Sequence, residues 1–158
     1  MQNIKYILGL GLILLLGCSK DDDSSLSAEE IHRQNLETIQ DYLDTEALTA
    51  QSTPSGLHYI IDEPGSGEER PSISSVVEVM YSGYFTNKSV FDATADGQTV
   101  EFALANVIQG WQEGLQLFKK GGSGTLLLPS SLGYGAFPPP GIPPNTVLIF
   151  DVTLVNFR

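Results

Sequence analysis

Glycine and proline decide what this chain can fold into. From Gly56 onward the apolar residues come in short runs, each closed by glycine, proline or asparagine. With 16 Gly and 9 Pro in 158 residues, such punctuation favours many short strands and disfavours a helical bundle. Leu57–Ile61, Ser75–Tyr81, Thr99–Leu104, Gly124–Leu128 and Val147–Phe157 are the candidate strands. In the last of these Leu148, Phe150, Val152 and Leu154 share one face. Glu63-Pro64-Gly65-Ser66-Gly67 reads as a turn. One segment breaks the period of two: Ile108, Trp111, Leu115 and Phe118 recur at helical spacing, which predicts a short helix over about Val107–Lys119. Lys119-Lys120-Gly121 would close it, with cations at the negative end of the helix dipole and a terminal glycine. No β-α-β rhythm is present. The expected class is therefore α+β, an antiparallel sheet folded over one short helix.

The first 55 residues follow other rules. An uncharged run from Tyr6 to Gly17, preceded by Lys5, is too short to span a bilayer and has the form of a signal-peptide core. It ends in Leu15-Leu16-Gly17-Cys18, which resembles a bacterial lipobox, and Cys18 is the only cysteine. That resemblance implies cleavage before Cys18 and lipid attachment there, so residues 1–17 are expected to be a leader. Residues 18–26 are expected to form an acidic tether, since Lys20-Asp21-Asp22-Asp23 is a solvated stretch. It is similar to the export signal of Bacteroidetes-type surface lipoproteins. The implied location is a lipid anchor in the outer membrane, exposed at the cell surface in preference to facing the periplasm. Ser27-Ala28-Glu29-Glu30 has the form of a capping box, and Ile31, Leu36, Ile39, Tyr42 and Leu43 follow, predicting an amphipathic helix over 28–43. Its apolar stripe is too short for a long coiled coil, so docking on the domain or a spacer role is expected ahead of self-association. Thr53-Pro54-Ser55-Gly56 ends a linker, making 27–55 helix plus linker and 56–158 the folded domain.

Charge and composition exclude several function classes. The chain carries 8 Lys+Arg against 19 Asp+Glu, a net of −11. A nucleic-acid binder needs cations to neutralise phosphates, and a membrane-surface binder needs a basic patch. A single cysteine excludes an internal disulfide and a Cys-rich zinc site. His32 and His58 form no metal-spacing motif, so no metal and no cofactor is expected. Gly121-Gly122-Ser123-Gly124 resembles a phosphate cradle only superficially, because no Gly-Lys-Ser/Thr follows; it reads as a hairpin turn.

A set of ordered fragments is far more specific. Val79-Met80-Tyr81-Ser82-Gly83-Tyr84 is followed by Val90-Phe91-Asp92-Ala93-Thr94, Val100-Glu101-Phe102-Ala103-Leu104 and Val107-Ile108-Gln109-Gly110-Trp111. Leu132-Gly133-Tyr134-Gly135, Ile142-Pro143-Pro144-Asn145 and Leu148-Ile149-Phe150-Asp151-Val152 complete the series. In order and spacing these resemble the FKBP-type peptidyl-prolyl cis-trans isomerases across residues 56–158. The resemblance implies a strongly bent antiparallel sheet wrapped over the short helix. It implies Asp92 beside the reacting amide, with Tyr81 and Phe91 as pocket walls and Tyr134 as a donor, the four together forming the catalytic set. It implies a pocket lined by Val100, Phe102, Val107, Ile108, Trp111, Ile142 and Phe150, with Trp111 as floor. The Tyr134 hydroxyl and the Ile108 backbone N–H would donate to ligand carbonyls. Buried aromatics are ordinarily core, and Asp92 in isolation would read as a turn residue. Proline-rich residues 138–144 could be a polyproline ligand; the resemblance makes them the loop overhanging the pocket. Met80, Val100 and the proline-rich 136–141 loop depart from common members, which bears on substrate preference.

The chemistry such a pocket performs needs no nucleophile. Rotation about an X–Pro bond must break amide resonance, against a barrier of ~18–20 kcal/mol. A twisted amide is less dipolar than a planar one and loses less on leaving water. A dry aromatic cup therefore favours the twisted form. The partners implied are proline-containing polypeptides, with macrolides as possible ligands, no nucleic acid, and a monomer. The function expected is prolyl isomerisation in exported proteins; the alternatives are a proline-segment binding or chaperone module with little turnover, and a passive adhesin.

Overall fold

The computed structural model describes residues 26–158. Cys18, the leader and nearly all of the acidic tether lie outside the described residues. The chain runs α1 (Ala28–Thr45), β1 (Gln51–Ser52), β2 (His58–Glu63), β3 (Val76–Tyr84), β4 (Val90–Ala93), β5 (Val100–Ala103), α2 (Gln109–Leu115), β6 (Gly122–Leu128) and β7 (Leu148–Phe157). Short 3₁₀ turns at Leu104–Asn106 and Ser130–Leu132 flank α2 and follow β6.

All strand pairs are antiparallel, in the order β1-β2-β6-β7-β3-β4, with β5 added to β3. Sequence neighbours are thus not always sheet neighbours: the C-terminal strand β7 is inserted between β6 and β3. Its alternation explains why. Leu148, Phe150, Val152 and Leu154 are buried on the α2 side, while Ile149 is buried on the other. Apolar residues on both faces suit a strand covered on both faces.

The main core joins β3, β6 and β7 to Trp111, Leu115 and Phe118. α2 lies close to β6 because Gly110 and Gly114 face Leu128 and Leu126. A Cβ on Gly110 would lie 2.2 and 2.4 Å from two Leu128 side-chain carbons, well inside van der Waals contact distance. The second core lies on the opposite face, where Ile39, Tyr42 and Leu43 of α1 pack on Leu127, Val147 and Ile149. The N-terminal helix therefore docks on the sheet.

Several local expectations are corrected. α2 ends at Leu115 rather than near Lys119, because Leu117 and Phe118 donate to Gly114 and Leu115 in tight turns that carry Phe118 into the core. Lys119 and Lys120 consequently lie beyond the helix and do not cap it. Residues 122–124 are not a hairpin turn but the start of β6, paired with β2; only Gly121, at φ 78°, belongs to the turn. Ser27 does cap α1, accepting from the Glu30 N–H at 3.1 Å. The Glu30 carboxylate does not close the box, since Arg33 and Gln34 occupy it. The short strands β1 and β4 were not among the candidates, being too brief to alternate legibly.

Candidate active site

Trp111 is the third residue of α2, and it is 4% accessible. Around it stand aromatic rings from three strands. Tyr81 of β3 meets the indole at 5.0 Å and 87°, Phe150 of β7 at 5.4 Å and 81°, and Phe102 of β5 at 5.8 Å and 83°. These near-perpendicular pairs are the arrangement the ring quadrupole favours. Phe91 of β4 joins from above, at 5.5 Å and 88° to Phe150. Gly83 permits that meeting, because a Cβ there would lie 2.7 Å from Phe150 and 2.8 Å from Phe91. The indole Nε1 is buried and has no hydrogen-bond partner among the described residues.

These rings enclose a cavity of about 290 Å³. Tyr81, Phe91, Asp92, Phe102, Val107, Ile108, Trp111, Tyr134 and Phe150 all line it. Two expected residues do not. Ile142 lines an adjoining cavity of about 330 Å³, which shares Phe91, Asp92 and Tyr134 as a common wall and is closed by Pro139, Pro140 and Gly141. Val100 pairs with Val79 on β3 and packs against the core beside the pocket; its short branched side chain does not reach the cavity. Asn106 lines the cavity unforeseen. No pattern in the sequence marks it, since its place comes from the 3₁₀ turn between β5 and α2.

The polar groups sit at the rim. Tyr81 donates its hydroxyl to Asp92 Oδ2 at 2.6 Å. Burial, then the bond to Asp92 and its charge, push the Tyr81 phenol well above its ordinary pKa. Burial and the Asp92 charge also raise Tyr134. Both phenols therefore stay neutral donors throughout the physiological range. The Tyr134 hydroxyl and the Ile108 N–H make no hydrogen bond among the described residues. Ile108 immediately precedes α2, and its carbonyl accepts from Trp111 and Gln112. Gln112 turns back to donate to the Val107 carbonyl at 2.8 Å, fixing the approach to Ile108.

A wider groove of about 580 Å³ crosses the sheet near Met80, Ser82, Asp151 and Thr153, bordered by Asp62 and Asp96. It lacks an aromatic floor and offers mostly polar walls. An apolar ring would be desolvated far better in the smaller cup.

Known proteins place this geometry. The sequence model of the family FKBP-type peptidyl-prolyl cis-trans isomerase matches residues 67–155, more than half of the chain. The chain is 37% identical over 138 residues to the FKBP-type peptidyl-prolyl cis-trans isomerase FkpA of Buchnera aphidicola, covering 85% of this chain and 55% of that protein. It is 41% identical over 109 residues to FkpA of Escherichia coli K12, covering 68% of this chain and 40% of that one. The chain thus spans about half the length of the curated relatives it matches. The crystal structure of Escherichia coli FkpA superposes with a TM-score of 0.71 at 37% identity, covering 82% of this chain and 62% of that chain. A peptidyl-prolyl cis-trans isomerase from Pseudomonas syringae gives 0.68 at 28% identity, covering 80% and 95%. With the aromatic cup, its ordered fragments and the matching fold in hand, the chain belongs to the FKBP-type peptidyl-prolyl cis-trans isomerase family.

Proposed function

We propose that this chain accelerates cis-trans rotation of X–Pro bonds in exported polypeptides, without covalent chemistry. The observation that carries the reading is the aromatic cup over Trp111, with neutral donors from Tyr134 and Ile108 at its rim. The proline ring enters the cup and leaves bulk water. The rim donors hold flanking carbonyls while the amide twists and loses its resonance dipole. Tyr81 holds Asp92 beside that amide. Each ~1.4 kcal/mol by which the site prefers the twisted form over the planar one gives tenfold in rate. Binding without turnover is the competing reading; it is favoured by Phe137, 95% exposed on the loop beside the mouth. The roles of Tyr81, Phe91, Asp92 and Tyr134 in turnover, and of the other lining residues in binding, belong to this proposal.

A protease-coupled assay on a short X-Pro peptide separates the readings. Exchange clearly faster than the uncatalysed rate supports the enzyme. A rate equal to the uncatalysed one, with saturable change in Trp111 emission, supports the binding module. Trp111 is the only tryptophan, so its emission reports the pocket directly.

The anchoring belongs to the same proposal. Cys18 at the end of the apolar leader supports lipid attachment, and Lys20-Asp21-Asp22-Asp23 supports display at the cell surface. Cys18→Ser should move the protein out of the membrane fraction; full retention there would remove the anchor. Replacing residues 20–23 by alanine should reduce accessibility to external protease while leaving the lipid.

A further inference from the structure

We propose that Asn35, on the N-terminal helix and not among the residues lining the pocket, is a positioning residue for Tyr134. The inference rests on the isomerase reading and extends it to α1.

Asn35 is only 7% exposed, and Ser130 only 3%; among the described residues they are the buried polar side chains of the core. One carboxamide serves two distant backbone groups. Its Oδ1 accepts from the Ser130 N–H at 2.7 Å, and its Nδ2 donates to the Asn145 carbonyl at 3.1 Å. A backbone N–H on one side and a carbonyl on the other determine which amide atom faces which. Ser130 and Asn145 are the two ends of the segment that carries Tyr134 and the prolines closing the adjoining cavity.

The same two residues then grip Gly135, next to Tyr134. The Ser130 carbonyl accepts from the Gly135 N–H at 2.9 Å, and the Asn145 N–H donates to the Gly135 carbonyl at 2.8 Å. Ser130 also accepts from Gly133 at 3.0 Å. Both residues that hold Gly135 are therefore held in turn, each through its other backbone group, by one side chain of α1. Asn145 adopts φ 57°, a left-handed conformation that an asparagine tolerates and that this bracing maintains. Without Asn35 the Ser130 N–H is buried with no acceptor, and the loop must move to reach water. Tyr134 moves with it.

A merely stabilising helix would affect folding and leave the site alone. A double-mutant cycle tells the two apart. Asn35→Ala is expected to lower kcat/KM by about tenfold, within the hundredfold that a 1 Å misplacement can cost. In a Tyr134→Ala background the same change should cost less than about twofold, since there is no Tyr134 left to position. Ile39→Val thins the apolar contact of α1 without touching the loop, and should leave kcat/KM unchanged. Should Asn35→Ala fold poorly, Asn35→Asp serves in the same cycle: it keeps the acceptor for Ser130 and loses the donor to Asn145. Additive effects of Asn35 and Tyr134, or an equal loss from Ile39→Val, would overturn the proposal. An inactive but folded wild-type protein would instead count against the isomerase reading itself. In that event, the cycle is read in the peptide concentration that half-saturates the Trp111 emission change, with the same expected non-additivity.

Discussion

The short contact between Tyr81 and Asp92 links a half-buried phenol to a carboxylate at the edge of an apolar cup. A hydrogen bond to a charged group contributes ~1.5–3 kcal/mol, more than a neutral one. Asp92→Leu removes the acceptor and leaves the Tyr81 hydroxyl without it. The aromatic floor stays. The expected outcome in the protease-coupled assay is a fall in kcat/KM of about ten- to a hundredfold, short of the uncatalysed rate. If Asp92 only orients Tyr81, then Tyr81→Phe should show a similar loss, and adding Asp92→Leu to it should change little more.

At the scale of elements, α2 matters through what it places against the sheet. Its Gly110 and Gly114 bring the helix axis down onto Leu128 and Leu126, which sets the depth of Trp111. Helix propensity alone would favour Gly110→Ala by up to about 1 kcal/mol. The added methyl would overlap the fully buried Leu128, whose surroundings give it no room to retreat. Overpacking of this kind costs about 1–3 kcal/mol, so the net expectation is destabilisation. Urea unfolding should show a lower midpoint, together with a shift in Trp111 emission as the helix lifts. A midpoint at or above that of the unsubstituted chain would mean that Leu128 can repack.

At the scale of the whole molecule, three tyrosines couple stability to alkaline pH. Tyr81, Tyr84 and Tyr134 all have raised phenol pKa values, with burial the first cause in each. Tyr84 adds a bond to Asp151 at 3.0 Å on the α1 face of the sheet. A group with a raised folded-state pKa keeps its full contribution below the unfolded value, near 10 for tyrosine. Above about pH 10 the unfolded chain ionises first, so stability falls as pH rises further. Unfolding midpoints measured from pH 8 to 11 should be level at first and then decline. Tyr84→Phe should make that decline shallower; an unchanged slope would assign it to other groups. The pocket contains no histidine or cysteine, so catalysis by desolvation should be nearly flat between about pH 6 and 8.

Periodicity by itself determined a good part of this molecule. The alternation of β7, the 3-4-3 spacing around Trp111 and the Ser27 cap follow from local physics: side chains repeat every two residues in a strand and every 3.6 in a helix. Short-range rules were enough for α1 and for the main strands. They could not say where a helix must stop, because Phe118 turns inward only when a sheet is there to receive it. They could not show that β7 enters between β6 and β3, since pairing joins residues far apart in the chain. The resemblance brings most of the pocket together, but it assigns Val100 on sequence position alone. Whether its side chain reaches the cavity depends on reach in three dimensions. Asn106 and Asn35 had no signature at all. An asparagine in a turn and another on an amphipathic helix look like solvent-facing residues. Only the tertiary structure buries Asn35 between Ser130 and Asn145, where two backbone groups need one donor and one acceptor.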